Sequence, residues 1–475
     1  MAAPFIYRFN RDLRIDDHAG LARAAAFGDV LPVLVIDRTL EARLSRSPRR
    51  AAFFCDAVAA LGIALRERGA RLIVRRGAPG AVLKNIARAS GATGAAWSTR
   101  YEGTTSHDDE RLQSELEEAG LRAVIVHDAP AIPPEEIAAA RPSGGDGGYR
   151  AFAPYFATWQ ERTVASFDAP MLVRFAQSEL QSEPLPRPND FGAVERAKSA
   201  VFDPHAQLNA FLSEGAVQYA AAVNTPGDDR TSRLSAHLSF GTIAARTVVR
   251  AAQKRLEDPF LLTEERLSLR LFLRSIALRD FFLQLTYFHP ETLEEPLQDR
   301  MRGFVFARAH AALDAWRGGK TGFALVDAGI RQLHETGWMH PRVRAIAASF
   351  LCFDLGVDWR VGRDEWDQWL IEDDPAIASG NWQWIAGVGA DMAQYPRIYN
   401  PHKAGRRYDP HGFYVRRWIP ELAHSGTFAW GTDAPDSQLS LFSAQSAYPR
   451  AVLDHESAAR RFLEMYRKHF ALRSG

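Results

Sequence analysis

The chain has 475 residues, 46% hydrophobic, 24% charged and 11% aromatic, with a net charge of +1; that balance excludes a mainly disordered protein and predicts two or more folded domains. Its two cysteines, Cys55 and Cys352, cannot build a disulfide framework, a four-cysteine zinc site or a cubane cluster, and no metal ligand set is expected. No apolar run approaches the roughly 20 residues that span a bilayer, and MAAPFIYRFNRDLR lacks the apolar core of a signal peptide, so a cytoplasmic protein is expected.

Residues 4–127 alternate short apolar runs with amphipathic stretches. PFIYRF, VLPVLVID, RLIVRR, GAAWSTR and RAVIVHD read as buried strands, bounded by Gly, Asp or Pro. HAGLARAAAFG, RRAAFFCDAVAALGIALRERG, GAVLKNIARASG and DDERLQSELEEAG read as the helices between them. Such alternation predicts a parallel, doubly wound sheet, with ligands at the carboxyl ends of its strands. No GxGxxG or GxxxxGKS follows a strand, which disfavours a standard dinucleotide or P-loop site.

A Pro- and Gly-rich traverse follows, interrupted by the aromatic island YRAFAPYFATWQE from Tyr149 to Glu161, expected to pack on one of the domains. From about residue 201 helical patterns dominate: HLSFGTIAARTVVRAAQKRL, LSLRLFLRSIALRDFFLQLTYF, ALVDAGIRQLHETG and PRVRAIAASFLCFDLG. The predicted organisation is α/β plus all-α: an α/β domain at 1–130, a linker at 131–200, and an all-helical domain at 201–475. Eight of the eleven tryptophans lie between Trp316 and Trp418, more than plain packing needs.

Four clusters in the helical half carry chemistry. Thr231-Ser232-Arg233-Leu234-Ser235, with Tyr219 upstream, offers hydroxyls, amides and a guanidinium, the parts of an anion cradle and equally of an N-cap. Trp338-Met339-His340-Pro341-Arg342-Val343-Arg344 places two arginines on different faces of a helix start. Glu372-Asp373-Asp374 precedes Pro375, positioned to cap a helix or to answer Arg344. Trp382-Gln383-Trp384 puts two indoles on one side of an extended segment, or about 200° apart on a helix. Tyr395-Pro396-Arg397, followed by Lys403, Arg406 and Arg407, suits a phosphate backbone.

Taken together these clusters resemble the DNA photolyase and cryptochrome family. Phe9-Asn10-Arg11-Asp12-Leu13-Arg14, Tyr149 through Trp159, Gly319 through Arg331, Gly337-Trp338-Met339-His340, and Tyr408 through Leu422 are similar to family motifs, in order, over more than 400 residues. The resemblance implies a non-covalent FAD in the helical domain. Tyr219, Thr231, Ser232, Arg233, Leu234 and Ser235 would hold its diphosphate and ribitol, Arg344 and Asp374 would pair beside the ring system, and Trp338 would pack nearby. It implies a light-driven repair reaction, in which the excited reduced flavin lends an electron to a flipped-out pyrimidine dimer. Trp384 would stack on that base, Arg342, Arg397 and Lys403 would grip phosphates, and Trp382 and Trp359 would relay electrons. The expected partner is UV-damaged DNA, bound by a monomer with no membrane contact.

Departures from the family pattern fall at sensitive positions. Phe306 stands where the outermost relay tryptophan is usual, Ala378 where an Asn usually faces the flavin, Ser275 and Leu278 where a Glu and a Trp contact the dimer, and Pro341 where an Asn or second His follows His340. Tyr101-Glu102-Gly103-Thr104-Thr105 lacks the usual folate-binding Asn-Glu pair, leaving a deazaflavin, a folate, another flavin or no antenna open. The iron–sulfur branch is excluded by the cysteine count. Repair is the expected activity, with a blue-light photoreceptor or non-repairing DNA-binding flavoprotein as the alternative; the photolyase-like ending after Tyr448-Pro449-Arg450 favours repair.

Overall fold

The computed structural model describes residues 3–102, 105–141, 147–162, 164–167, 173–193, 202–228, 230–308, 310–391, 396–423, 430 and 448–471. The five expected strands are β1 (Phe5–Phe9), β2 (Val30–Ile36), β3 (Ile73–Arg76), β4 (Gly94–Ser98) and β5 (Arg122–Val126). They form one parallel sheet in the order β3-β2-β1-β4-β5. Alternate side chains point to opposite faces. Phe5, Tyr7, Phe9, Leu34 and Ile36 pack with α1 (Ala19–Ala25), α2 (Arg38–Arg46) and α3 (Pro48–Glu67). Ile6, Val33, Val35, Ala95 and Trp97 pack with α4 (Pro79–Ser90) and α5 (Thr105–Glu117). The sheet is therefore doubly wound, and the order of crossovers reverses between β1 and β4, where Asn10 Nδ2 donates to the Ser98 carbonyl at 3.1 Å. Helix α2 extends the expected set; Asp37 caps it by accepting from Leu40 N at 2.8 Å.

The molecule divides into two compact units: residues 1–217 with 232–293 and 371–377, and residues 218–231 with 294–370 and 378–475. In the first unit the aromatic island forms the helix Phe152–Glu161 on the 26-residue helix Thr263–Phe288. Phe152 and Tyr155 meet Phe281 at 5.6 and 5.3 Å, and Trp159 Nε1 donates to Asp280 Oδ2 at 3.2 Å. The traverse keeps to the same unit: Val30 N donates to the Arg174 carbonyl at 2.7 Å, and Ala176 N returns to the Val30 carbonyl at 2.9 Å.

The pattern HLSFGTIAARTVVRAAQKRL becomes two helices, Ser235–Ser239 and Ala245–Leu256. Gly241 explains the break. Its φ is 62°, and a Cβ there would collide with the Arg11 carbonyl and the Asp12 backbone. His237, beside this break, lies among Phe53 and Phe202 at 5.1 Å each and pairs with Thr242 Oγ1 at 2.8 Å. Burial, reinforced by His205, pushes it down to about 4. The folded chain thus resists protonating a group that the unfolded chain protonates near pH 6.5. Stability is full above about pH 6.5 and falls by up to about 3 kcal/mol as pH drops toward 4. Urea midpoints at pH 7.5 and 4.5 test this: His237→Gln should flatten the pH slope, and an unchanged slope refutes the assignment.

The second unit is helical among its described residues. Its core gathers Trp316, Leu325, Ile330, Leu333, Val343, Ile346, Phe350, Trp359, Trp366, Trp382 and Trp418. The helix Ala324–Thr336 ends at Gly337, whose φ of 71° supplies a left-handed cap. The helix Pro341–Ser349 runs into a wider turn over Phe350–Asp354 instead of continuing as one helix.

Candidate functional site

Five residues predicted to hold FAD lie in the first unit: Ser232, Arg233, Leu234, Ser235 and Asp374. Arg233 adopts φ 50°, left-handed for a non-glycine residue, a conformation that costs about 1–3 kcal/mol and is retained where its surroundings impose it. The Ser232 carbonyl accepts from Gln207 Nε2 at 2.8 Å, and Leu234 leads into the helix Ser235–Ser239.

The neighbouring acids behave differently from each other. Asp373 is fully buried and receives Arg11 Nη2 and Arg43 Nε, both at 2.7 Å, with Arg50 Nη1 at 3.5 Å. Its own N–H donates to Ser239 Oγ at 2.8 Å. Burial alone would raise this carboxyl, but Arg11, Arg43 and Arg50 hold it well below the usual carboxylate range. Asp374 lies 3.6 Å from Arg11 Nη1. Burial, helped by the Asp373 charge, pushes it up against the pull of Arg279 and Arg11. Asp373 is thus an anchor for the segment before Pro375, and Asp374 is the neighbouring acid whose carboxyl burial pushes up. Sequence reading grouped the acids but missed this anchor, because Arg43 and Arg50 sit on α2 and α3, more than 300 residues away.

Tyr219, Thr231, Trp338, Arg342 and Arg344 lie in the second unit. Tyr219 opens the short helix Tyr219–Ala222. Thr231 Oγ1 is buried and has no hydrogen-bond partner among the described residues. Trp338 is buried, edge-on to His340 at 6.1 Å. His340 Nδ1 caps the helix Pro341–Ser349 by accepting from Arg342 N at 3.2 Å, so the opposite nitrogen, Nε2, carries the proton given to the Ala222 carbonyl at 3.2 Å. Pro341 occupies the first helical position, where a missing N–H costs nothing. Arg344 Nε donates to the Met339 carbonyl at 2.8 Å.

Arg342 points elsewhere. Its Nε and Nη2 fork onto Asn224 Oδ1 at 3.1 and 2.6 Å, and its guanidinium lies 5.0 Å from the Tyr408 ring. Arg407 approaches the same ring at 5.3 Å. Lys403 and Arg397 are exposed, and Asn400 caps the helix Pro401–Tyr408 through Lys403 N at 3.0 Å. Tyr395, like Gly103 and Thr104 of the antenna segment, lies outside the described residues.

The Trp-Gln-Trp triplet is helical, within Pro375–Ala386, so the two indoles point about 200° apart. Gln383 between them is buried: its Oε1 accepts from Leu297 N and its Nε2 donates to the Glu295 carbonyl, both at 2.9 Å. Trp382 faces the aromatic core and Trp384 is half-buried. A Cβ on Gly362 would collide with the Trp382 ring and Leu351, so the glycine is what lets the indole seat. Trp382 meets Trp366 at 4.6 Å, and Trp366 stacks on Trp316 at 5.9 Å with planes 14° apart. Trp359 is fully buried under Arg360 and Arg363, 5.0 and 5.2 Å from its ring. Sequence reading passed over Trp366; its signal was the seven-residue spacing from Trp359 on one helix face. Phe306 packs with Phe304 at 4.7 Å and Phe462 at 6.0 Å. Ala378 is half-buried, as are Leu278 and Ser275, whose hydroxyl donates to the Phe272 carbonyl at 2.6 Å.

The donor set fits a flavin dinucleotide. A buried hydroxyl left unmet, as at Thr231, costs about 1–3 kcal/mol unless a ligand satisfies it. Next to it the chain supplies two serine hydroxyls and a guanidinium on a left-handed turn, donors suited to a diphosphate. A different trio, Asp12, His18 and Asp128, brings three potential metal-ligating atoms within 4.8 Å of one another. Its oxygens are already engaged: Asp12 receives Tyr7 and Ser98 hydroxyls, and Asp128 receives Arg14 and Arg246 at 2.7 Å each. The guanidiniums supply the cationic charge there, which makes the trio a structural network.

Comparison with known proteins agrees with this geometry. The family profile described as DNA photolyase matches residues 5–172, and that described as the FAD binding domain of DNA photolyase matches residues 272–468. The chain is 34% identical to the deoxyribodipyrimidine photo-lyase of Halobacterium salinarum, over 98% of each chain. Its structure is similar to a class III photolyase from Agrobacterium tumefaciens, with a TM-score of 0.85 and 28% identity over 99% of this chain and 98% of that one. It is also similar to an archaeal photolyase from Sulfolobus tokodaii that holds two FAD molecules, with a TM-score of 0.81 and 26% identity over 98% and 100%. A parallel five-stranded sheet followed by helices, an orphaned hydroxyl in a phosphate-type segment and full-length similarity converge: the chain belongs to the DNA photolyase family.

Proposed function

We propose that this chain is a light-driven deoxyribodipyrimidine photolyase that splits pyrimidine dimers in UV-damaged DNA, cyclobutane dimers foremost. The observation that carries the reading is the single helical turn in which Gln383 is pinned at both ends of its amide. Trp382 is sent into the aromatic core and Trp384 the opposite way, one indole placed for electron supply and one for stacking. FAD, when bound, supplies the light-excited electron that a dimer accepts and returns.

The remaining work belongs to the protein. Tyr219, Thr231, Ser232, Arg233, Leu234 and Ser235 bind the diphosphate and ribityl chain. Trp338, Arg344 and Asp374 fix the ring system, with the Arg344 charge favouring an anionic reduced flavin. Trp384 offers a platform for an extrahelical base, stacking worth about 1–3 kcal/mol. Arg342, Arg397 and Lys403 hold phosphates, and the fork onto Asn224 limits the rotamer freedom Arg342 loses on binding. Trp382 and Trp359 relay electrons. The same proposal places the antenna domain at 1–130, with a deazaflavin, folate or flavin as second chromophore, the linker at 131–200 and the catalytic domain at 201–475. The protein acts as a cytoplasmic monomer driven by blue light. No described helix is long and apolar enough to cross a membrane.

Incubating the fully reduced, FAD-loaded protein with a dimer-containing oligonucleotide, in light and in darkness, tests the reading. Restoration of intact pyrimidines only under illumination is the expected result. FAD-loaded protein that binds the oligonucleotide but restores nothing in light overturns repair and leaves a photoreceptor.

A further inference from the structure

We propose that Phe413 and the arginines around it form a further nucleic-acid contact, a stacking step for an unpaired base of single-stranded DNA. The inference takes its class of partner from the reading above, but it needs neither flavin nor light. All of its residues lie in the second unit.

The stretch from Pro401 to Trp418 holds five Lys and Arg residues and one acid, Asp409. That acid is buried and turned inward, accepting from Tyr414 N at 3.1 Å and Val415 N at 3.0 Å. The outward charge of the stretch is therefore positive. Gly412, at φ 67°, opens the helix Phe413–Trp418, in which Tyr414, Val415 and Trp418 are buried. Helical spacing then places Phe413, Arg416 and Arg417 together on the opposite, outer side. Phe413 is 64% exposed. The Arg416 guanidinium lies 5.7 Å from its ring centre, held there by a bond from Nη2 to the His411 carbonyl at 2.7 Å.

A lone exposed ring is ordinary; the guanidiniums around this one are not. Arg342 and Arg407 lie against Tyr408 at 5.0 and 5.3 Å, Arg416 against Phe413, and Arg417 against Trp418 at 5.3 Å. Among the described residues none of the four has a carboxylate at ion-pair distance. Other arginines of the unit are paired, Arg317 with Glu365 at 2.9 Å, Arg331 with Glu421 at 2.7 Å and Arg363 with Glu294 at 2.9 Å. An aromatic neighbour orients a guanidinium while leaving its N–H groups for a phosphate.

The step is continuous with the phosphate grip proposed for Arg342. Asn224 receives the Arg342 fork, and three residues on, a Cβ at Gly227 would stand 3.3 Å from the Phe413 Cβ. Three residues span at most about 10 Å, so a strand held at Arg342 brings a neighbouring nucleotide to Phe413. A phenyl face stacks on a base whose own faces are free, which selects unpaired bases, and it carries no hydrogen-bonding group to select among sequences. The other strongly exposed phenylalanine among the described residues, Phe260, stands between Asp258 and the Glu264-Glu265 pair, charges that repel a phosphate backbone.

Fluorescence anisotropy in darkness, with undamaged oligothymidylate and with an undamaged duplex, tests the step. Phe413→Ala should lower the preference for the single strand over the duplex about tenfold without changing the salt slope, and Phe413→Trp should restore it. Replacing Arg407 and Arg417 together by alanine should lower the single-strand salt slope by about 1.4. An unchanged preference in Phe413→Ala, or an unchanged salt slope in the double variant, overturns the inference. If Phe413→Ala lowers the thermal midpoint, Phe413→Leu decides, since it keeps apolar bulk and loses the ring: wild-type preference in that variant refutes stacking. A wild type that repairs dimers in light while Phe413→Ala keeps the full preference overturns this inference alone. Loss of the preference in a chain that repairs nothing leaves it standing and overturns repair.

Discussion

Asp373→Ala is expected to destabilise the protein by about 3–5 kcal/mol, the cost of leaving buried charge without its partner. The carboxylate receives Arg11, Arg43 and Arg50, and its removal leaves three guanidiniums facing one another around an empty polar space. Asp373→Asn keeps an acceptor but loses the charge, so it should fall between wild type and alanine. The pH dependence gives an independent check. A carboxyl held low in the folded state contributes stability above its unfolded value of about 3.9, and that contribution fades as pH falls below it. Urea denaturation should therefore show an acid-side loss in wild type that is reduced in Asp373→Ala. Equal acid slopes would remove the anchor role.

The second large effect concerns DNA. If Arg342, Arg397 and Lys403 each neutralise one phosphate, affinity for a dimer-containing duplex falls with a log–log salt slope near −2.7, or about a hundredfold between about 50 and about 300 mM salt. Replacing Arg397 and Lys403 together by alanine should lower that slope by about 2. Arg342→Ala should act more heavily, because its side chain also packs at 5.0 Å from the Tyr408 ring. Fluorescence anisotropy across a salt series measures all three, and a slope unchanged in the double variant would place the phosphates elsewhere.

Much of this was legible in the sequence because its signals are local. Alternation of short β-branched runs with helical stretches sufficed for all five strands, and Gly337 marked a helix end that the structure keeps. What was illegible depends on contacts made at a distance. Gly241 breaks a helical pattern only because the backbone of Arg11 and Asp12 passes against it. Helix α2 had a cap signal in Asp37 but a short, charged pattern that local reading passed over. The Trp-Gln-Trp triplet was compatible with strand or helix until residues 295–297 offered Gln383 its partners. Likewise Glu372-Asp373-Asp374 could be read as three acids, not as one anchor and one raised acid, because the deciding arginines are remote in sequence. Trp366 carries no local mark of its packing; Trp316 and Trp382, on other helices, supply it.

Gln383 has a consequence for how such a protein can be altered. Both ends of its amide are tied to the backbone, so the helical turn it sits on cannot roll without breaking two bonds. The indoles on either side move as the two ends of one lever: a rotation that brought Trp382 closer to Trp366 would turn Trp384 through the same angle and displace it in the opposite direction. In the proposed roles, altering the setting of Trp382 without moving Trp384 therefore requires changes at the rings that pack on it, such as Trp366, and leaves the lever itself fixed.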